Sequence, residues 1–360
     1  SVNDFLSRFT TSACAIALVP GFIIPLCKYR RKAAPTNKFE GVAVEQMGNK
    51  YVLVTGALGN LGQIVLATFK ARGYRVLPMD LETPTNRKTA QRLGYMPTML
   101  WGDIRKVDFI PLLPQVCAVV HLAALLPPVT ESAPALAEAV NLQATLRLIE
   151  ALEACPLPPL LIYPSSVTVF GFPADRRLKS VADTPKPSDN YTRQKVQVEQ
   201  RLAQSAIPWC VLRVGVSVDA RTLGTELNMM RKLFGVSPDN PLEYVHPTDV
   251  AEAIVNCLDN PDALRKIWLI GGGTDCRVTQ HEFLSVALNT LGVTLPKDML
   301  GTNEFYTHWM DTAESQRVLR FQNHRFDSYR QEMAQRLGWL RPMVRPLAPL
   351  VLWGMRRLLK

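Results

Sequence analysis

Three residues could together move a proton to or from a substrate oxygen: Ser166, Tyr191 and Lys195. Tyr191-Thr192-Arg193-Gln194-Lys195 places a phenol and an ammonium four residues apart, and on a helix positions i and i+4 share a face. The adjacent positive charge favours the ionised phenol and predicts a lowered tyrosine pKa. Tyr191 could then serve as general acid or base near neutral pH. Ser166 lies 25 residues earlier, where the apolar run from Leu160 ends in Ser165-Ser166 before Phe170-Gly171. A lone Tyr-x-x-x-Lys is common by chance, so its weight depends on what surrounds it.

A second set could hold a dinucleotide. Tyr51 to Val54 reads as a short apolar strand, followed by Thr55-Gly56-Ala57-Leu58-Gly59-Asn60-Leu61-Gly62 and a helical run through Lys70. Strand, glycine turn and helix is the context that makes such a motif credible. Gly56 permits the tight turn, Gly59 lets the backbone approach a pyrophosphate, and Gly62 lets the helix pack closely. Asn60 and Leu61 open the helix, whose first N–H groups suit phosphate oxygens. Arg75 to Met79 reads as a second strand ending on Asp80, 24 residues after Gly56. An acid at about that distance meets ribose hydroxyls. It favours NAD, because it would repel a 2′-phosphate; Arg87 and Lys88 nearby leave NADP open.

The elements that must position these groups alternate along the chain. A third apolar stretch ends in Gly102-Asp103-Ile104. Val119 to Ala124 reads as a fourth strand, Leu160 onward as a fifth, Trp209 to Val214 as a sixth and Ile267 to Gly272 as a further one, with a late helix from Asp311 to Arg320. This predicts an α/β fold: a Rossmann doubly wound parallel sheet with a small C-terminal substrate lobe. His121, on the fourth strand, reads as a core histidine without chemistry.

These motifs, with His121-Leu122-Ala123-Ala124 and Asn141 before Thr145-Leu146-Arg147-Leu148, resemble extended short-chain dehydrogenases/reductases of the NAD-dependent epimerase/dehydratase type over roughly residues 50–330. The resemblance implies an NAD-dependent oxidoreductase in which Ser166, Tyr191 and Lys195 are catalytic and Lys195 also reaches the nicotinamide ribose. It places Asp103, with Ile104, near the adenine, and has Ala123 and Asn141 line the cofactor. Tyr244-Val245-His246-Pro247-Thr248-Asp249-Val250-Ala251 matches a later family segment. Two departures bear on substrate. Val216 falls near the place where nucleotide-sugar members carry an asparagine, and Leu242 replaces the arginine that grips the diphosphate. An apolar side chain cannot supply that bidentate grip. The Thr-Asp-Glu signature of sugar dehydratases is also missing, since Ser166-Val167 stands there. What is left is hydride transfer at a hydroxyl or carbonyl carbon of an apolar, sterol- or lipid-like substrate. The other reading is a dinucleotide-binding accessory subunit of a membrane complex, of the kind found in respiratory complex I, with a structural role.

The formal net charge of +10 has an uneven distribution. Residues 1–50 carry seven Lys/Arg against three acids, residues 336–360 carry six and none, and the stretch between is neutral. A nucleic-acid binder would carry its basic charge on the folded body; apolar, basic tails suit membrane lipid or membrane-protein partners instead. Ala13 to Cys27 is uncharged and runs into Lys28, Arg30, Arg31 and Lys32. Extended back to Thr10 it reaches 18 residues, the lower limit of a membrane span. A span, a retained targeting segment and an apolar arm on a protein partner are all open readings. A span would set the domain on the cytosolic or matrix face, and the mitochondrial inner membrane or the endoplasmic reticulum would suit it. Leu347 to Lys360 reads as an amphipathic helix, lying on lipid or docked on the protein's own core, and the prolines at 342, 346 and 349 should break regular structure before it. The organisation expected is an arm over 1–49, a dehydrogenase domain over 50–335 (core 50–215, lobe 216–335) and a tail over 336–360. Seven scattered cysteines without a Cys-x-x-Cys pair argue against a disulfide framework or a metal site, and for a reducing compartment.

Overall fold

The computed structural model describes residues 50–173, 176–219 and 227–359. The apolar arm read above as a span, a targeting segment or a docked arm lies outside the described residues.

The strands β1 (Tyr51–Thr55), β2 (Arg75–Asp80), β3 (Leu100–Trp101), β4 (Val116–His121), β5 (Leu160–Ser166), β6 (Trp209–Val214) and β8 (Lys266–Ile270) form one parallel sheet in the order β3-β2-β1-β4-β5-β6-β8. Helices cover both faces, so the strands read as continuous apolar runs. Successive residues alternate between the two sides. Val52, Val54, Val120, Ile162 and Leu212 join one buried cluster. Leu53, Val119, Leu161 and Val211 join the other. The first cluster takes in α1 (Asn60–Ala71) and α6 (Pro247–Asp259); the second takes in α3 (Ala144–Glu153) and α4 (Asn190–Gln204). The chain winds outward from β1 through β2 to β3, then returns to build β4, β5, β6 and β8 on the other side. That reversal opens a crevice beyond the carboxyl ends of β1 and β4, where ligands of such sheets bind.

Two strand boundaries differ from the sequence reading. β4 begins at Val116 and ends at His121, paired with Thr55. The apolar run continues through Ala124, but ladder pairing stops where Gly56 turns β1 away, so Leu122 to Ala124 form the crevice wall. β8 stops at Ile270 because Gly271 and Gly272 press against the lobe: a Cβ on them would stand 2.1 Å from Glu243 Oε1 and 2.4 Å from Cys276 Sγ.

The lobe is built on the antiparallel ribbon of β7 (Pro241–Glu243) and β9 (Arg277–Thr279), with α7 (Gln280–Thr290) and α9 (Phe326–Leu337) packed on it. Glu243 is buried within it, accepting from Met310 N (2.7 Å), Gly273 N (3.1 Å) and Arg277 Nε (3.3 Å). Burial pushes its carboxyl up to about 7, against those donors and the Arg277 charge. The late helix α8 spans Ala313–Leu319.

The tail boundary drawn at 335/336 falls inside α9. Beyond it, Gly338–Leu340, Arg341–Val344 and Arg345–Leu347 are successive short helical turns leading into α10 (Ala348–Leu359). As expected, the prolines divide this stretch into short segments before α10. Pro342, Pro346 and Pro349 each stand second in a new segment, where no intrahelical N–H bond is lost.

Candidate active site

At the crevice, Gly56 adopts φ 64°, and a Cβ there would come within 2.7 Å of Ala123 N. The glycine turn and the end of β4 therefore pack backbone against backbone, and Ala123 N donates to Thr55 Oγ1 at 3.3 Å. A Cβ on Gly62 would lie 2.4 Å from Gly56 O, so this glycine seats α1 on the turn itself rather than on the strand. Gly59 differs: the nearest atom to a Cβ there is Gly56 O at 3.3 Å, and its other side is open. It caps α1 with no side-chain hydrogen bond and no acid in the first turn. Asn60 is exposed, and Leu61 packs on the core.

Asp80 ties this turn to β2. Its Oδ2 accepts from Leu58 N at 2.8 Å; its Oδ1 accepts from Leu81 N at 2.8 Å and Asn86 Nδ2 at 3.2 Å. Burial raises its pKa, and the Leu58 and Leu81 N–H groups oppose that. Arg87, a candidate for a 2′-phosphate, is ion-paired with Glu82. The open Gly59 cradle, the uncapped helix start and the carboxylate at the end of β2 fit an adenine dinucleotide without a 2′-phosphate.

Asp103 holds Arg105 through Nε (3.0 Å to both oxygens) and Nη2 (2.5 Å). Burial acts to raise its carboxyl, but Arg105 outweighs it and the pKa falls below its ordinary value. The Ile104 side chain is buried in the core, so only its backbone is available to a ligand. Asn141 is held by protein partners. Its Oδ1 accepts from Leu125 N (2.7 Å) and its Nδ2 donates to Leu125 O (2.9 Å) and Gln194 Oε1 (2.9 Å). With both amide hydrogens bonded to protein, Asn141 ties the loop after β4 to α4. It sits in a single π-helical stretch, Glu138–Gln143, of the kind often found at functional sites. His121 bonds Thr55 Oγ1 (2.8 Å) and Thr145 Oγ1 (2.9 Å), and burial, then the Lys195 charge, push it down to about 3. It is a neutral core histidine.

The acid/base set lies where α4 meets β5. A reciprocal cap fixes the start of α4: Asp189 Oδ1 accepts from Thr192 N (2.8 Å) and Thr192 Oγ1 from Asp189 N (3.1 Å). Tyr191 thereby falls in the first turn and Lys195 one turn on. Lys195 is buried, donates to Pro164 O at 2.7 Å, and stands 4.4 Å from the Tyr163 ring centroid and 5.7 Å from that of Tyr191. It thus touches β5 two residues before Ser166 as well as the Tyr191 ring. Ser166 Oγ accepts from Thr168 Oγ1 (2.8 Å) and N (3.3 Å), which leaves its own proton to donate. The Tyr191 hydroxyl bonds no described residue, and no direct hydrogen bond joins it to Ser166.

Burial pushes Lys195 down to about 8, with the Glu199 charge acting against it. Tyr191 is raised, by burial first and then by the Asp189 carboxylate. This reverses the lowered phenol expected from the i, i+4 spacing. The lysine spends its ammonium on a carbonyl, and desolvation outweighs its field at the ring.

Two groups escaped the sequence reading. Glu199, one further turn along α4, forms a buried pair with Arg213 on β6 (Nη2 to Oε2, 2.7 Å) and accepts from Ser165 Oγ at 2.5 Å. The pair clamps α4 to β5 and β6 directly below the site. The second is an aromatic group: Tyr306, whose phenol is raised by burial and then by the Asp189 charge, stacks on Phe305 (4.3 Å) and meets Phe172 edge-on (5.8 Å), and Phe172 is half exposed. The i+8 position of Glu199 was readable; its partner and the aromatic group depend on chain crossings that no local pattern encodes. His246, Asp249 and His324 also cluster, with one ligand atom from each within 4.8 Å of the others. However, His246 and His324 stack face to face at 4.0 Å, and Asp249 already accepts from His324 Nδ1 and N and from Asn323 N. Imidazole lone pairs lie in the ring plane, so stacked rings aim past a shared ion; the cluster reads as a tie between α6 and the segment before α9.

Residues 52–216 match the model of the NAD dependent epimerase/dehydratase family. That match takes in the nucleotide-binding part of the chain, somewhat under half of its length. A UDP-glucose 4-epimerase from Yersinia pestis is 34% identical over 163 residues, 42% of this chain and 47% of that protein, so the match spans about half the length of that relative. Solved structures extend the likeness into the lobe. The UDP-glucose 4-epimerase of Thermus thermophilus in complex with NAD superposes with a TM-score of 0.63 at 20% identity, over 79% of this chain and 96% of that one. The dTDP-glucose 4,6-dehydratase of Bacillus anthracis in complex with NAD gives 0.64 at 19% identity, over 79% and 96%. At such identities the superpositions speak for the fold.

Proposed function

We propose that this chain is a membrane-associated, NAD-dependent dehydrogenase or reductase acting at a hydroxyl or carbonyl carbon of an apolar substrate. The observation that carries this reading is the Tyr191–Lys195 face of α4 held against the end of β5 beside Ser166, at the crevice that also holds the Gly59 cradle. Gly56, Gly59, Gly62 and Asp80 would hold the dinucleotide, whose nicotinamide supplies or accepts the hydride. Ser166 donates its proton to the substrate oxygen and so fixes it. Tyr191, protonated in the free chain, gives a proton to that oxygen in the reducing direction and takes one in the oxidising direction. Lys195, lowered to about 8, is still mostly protonated at neutral pH, and its positive charge supports the phenolate left when Tyr191 gives up its proton.

Support for an apolar substrate comes from the lobe. Leu242 is buried in its core with Tyr244 and Val278, where nucleotide-sugar members carry the diphosphate-gripping arginine. Val216 pairs by backbone with Tyr244. The Phe172–Tyr306–Phe305 group, beside Asp189 at the start of α4, offers an aromatic wall. UDP-glucose, UDP-galactose and dTDP-glucose are therefore expected to leave the melting temperature of the purified chain unchanged. Hydroxysteroids and long-chain alcohols with NAD are expected to yield NADH, followed by its absorbance. A clear thermal shift with any of the sugar nucleotides would overturn the substrate assignment.

A further inference from the structure

The helical run from Gly338 to Leu359 has two unlike sides. Leu340, Val344, Ala348, Val351, Leu352, Met355 and Leu359 are half-buried, recurring every three or four residues, and Met355 and Leu359 pack on the cluster of Phe234, Leu295 and Leu300. This inner side is fastened by Arg356 to Asp298 (3.1 Å) and by Arg231 to the Leu358 carbonyl (2.9 Å). Both docking and exposure are therefore present: the outer side keeps its own stripe of Trp339, Met343, Leu347, Leu350 and Trp353, exposed between 52% and 70%. They recur at spacings of three and four residues along the run.

We infer that this stripe is a docking face for an anionic lipid surface, on which the run lies flat with the stripe among the acyl chains. Three features favour lipid over a protein partner. From residue 336 to the end the sequence carries six Lys/Arg and no acid; Arg356 is spent on Asp298, but the segment as a whole is basic and complementary to phosphate-rich headgroups. Tryptophans stand at both ends of the stripe, at the depth where aromatic rings favour the interface. Arg357 lies 5.6 Å over the Trp353 ring, holding a guanidinium beside the apolar edge. No helix among the described residues is long and apolar enough to cross a membrane, which fits contact in the plane rather than a span. The inference deepens the membrane-associated part of the function proposed above and rests on that part alone.

The test is partition of the full chain onto vesicles of phosphatidylcholine with and without phosphatidylserine, read by co-sedimentation and by tryptophan quenching with brominated lipid. Binding should be stronger by at least about tenfold with the anionic lipid and should weaken with salt. The double substitution Leu350→Ser with Trp353→Ser should lower it about tenfold or more. Both residues are exposed, so the melting temperature should hold, and NADH binding measured in the same samples should not change. Unquenched tryptophans, equal binding to neutral and anionic vesicles, or full binding by the double variant would each overturn the inference. Retention of the stripe only by a detergent-solubilised protein complex, with no vesicle binding, would do the same. Loss of NADH binding would instead strike the dinucleotide reading and leave this surface standing.

Discussion

Replacing Tyr191 by phenylalanine is expected to lower kcat by about a hundredfold to ten-thousandfold, the usual worth of a positioned acid or base. The affinity for NADH should stay within about threefold of the parent, because the phenol bonds no described residue and belongs to the chemical step. Since the lost interaction exists only in the transition state, kcat and kcat/KM should fall together. The ring itself stays, so the packing beside Lys195 and Tyr163 is kept. Steady-state kinetics on whichever alcohol the screen identifies would check this. A variant within about fivefold of the parent rate would mean that another group carries the proton.

The largest expected effect on stability lies beneath the site. Glu199 and Arg213 are 4% and 3% exposed as a pair, and Arg213 Nη1 already lacks a hydrogen-bond partner. Glu199→Ala would strand the guanidinium in the core under Phe170, whose ring it faces at 4.9 Å. Breaking one half of a buried ion pair costs about 3–5 kcal/mol. The double change Glu199→Leu with Arg213→Met should cost far less, because it removes both charges together. Urea unfolding of the three proteins would separate these outcomes. A second consequence follows at Lys195. The Glu199 charge holds its pKa up against burial, so Glu199→Ala should lower it further and weaken charge support for Tyr191 during the chemical step. A Glu199→Ala variant destabilised by less than about 1 kcal/mol would show that the pair is solvated or dispensable.

The parts of this molecule legible in its sequence are those fixed by local pattern. β1, the glycine turn, Asp80 and the run to Ser166 could be read because doubly buried parallel strands are apolar throughout and because glycines at a β-to-helix turn answer to backbone geometry. Tyr191 and Lys195 could be placed on one helical face by spacing alone. Charge states could not. The phenol is raised rather than lowered because Pro164, from another strand, takes up the lysine, and because burial and Asp189 act on the ring. The amide partners of Asn141, Leu125 and Gln194, lie 16 residues upstream and 53 downstream, beyond any local pattern. Glu243, Arg277 and Met310 meet only once the lobe has closed on itself.

The most direct test of the dinucleotide site is a fluorescence titration of the purified chain with NADH and NADPH. Gly59 leaves the phosphate approach open, and Asp80 sets a carboxylate where a 2′-phosphate would have to stand. Saturable binding of one NADH per chain is expected, at least tenfold tighter than NADPH, a difference of about 1.4 kcal/mol. NADPH binding tighter by the same margin would contradict the role given to Asp80, and no saturable binding of either nucleotide would contradict the site itself.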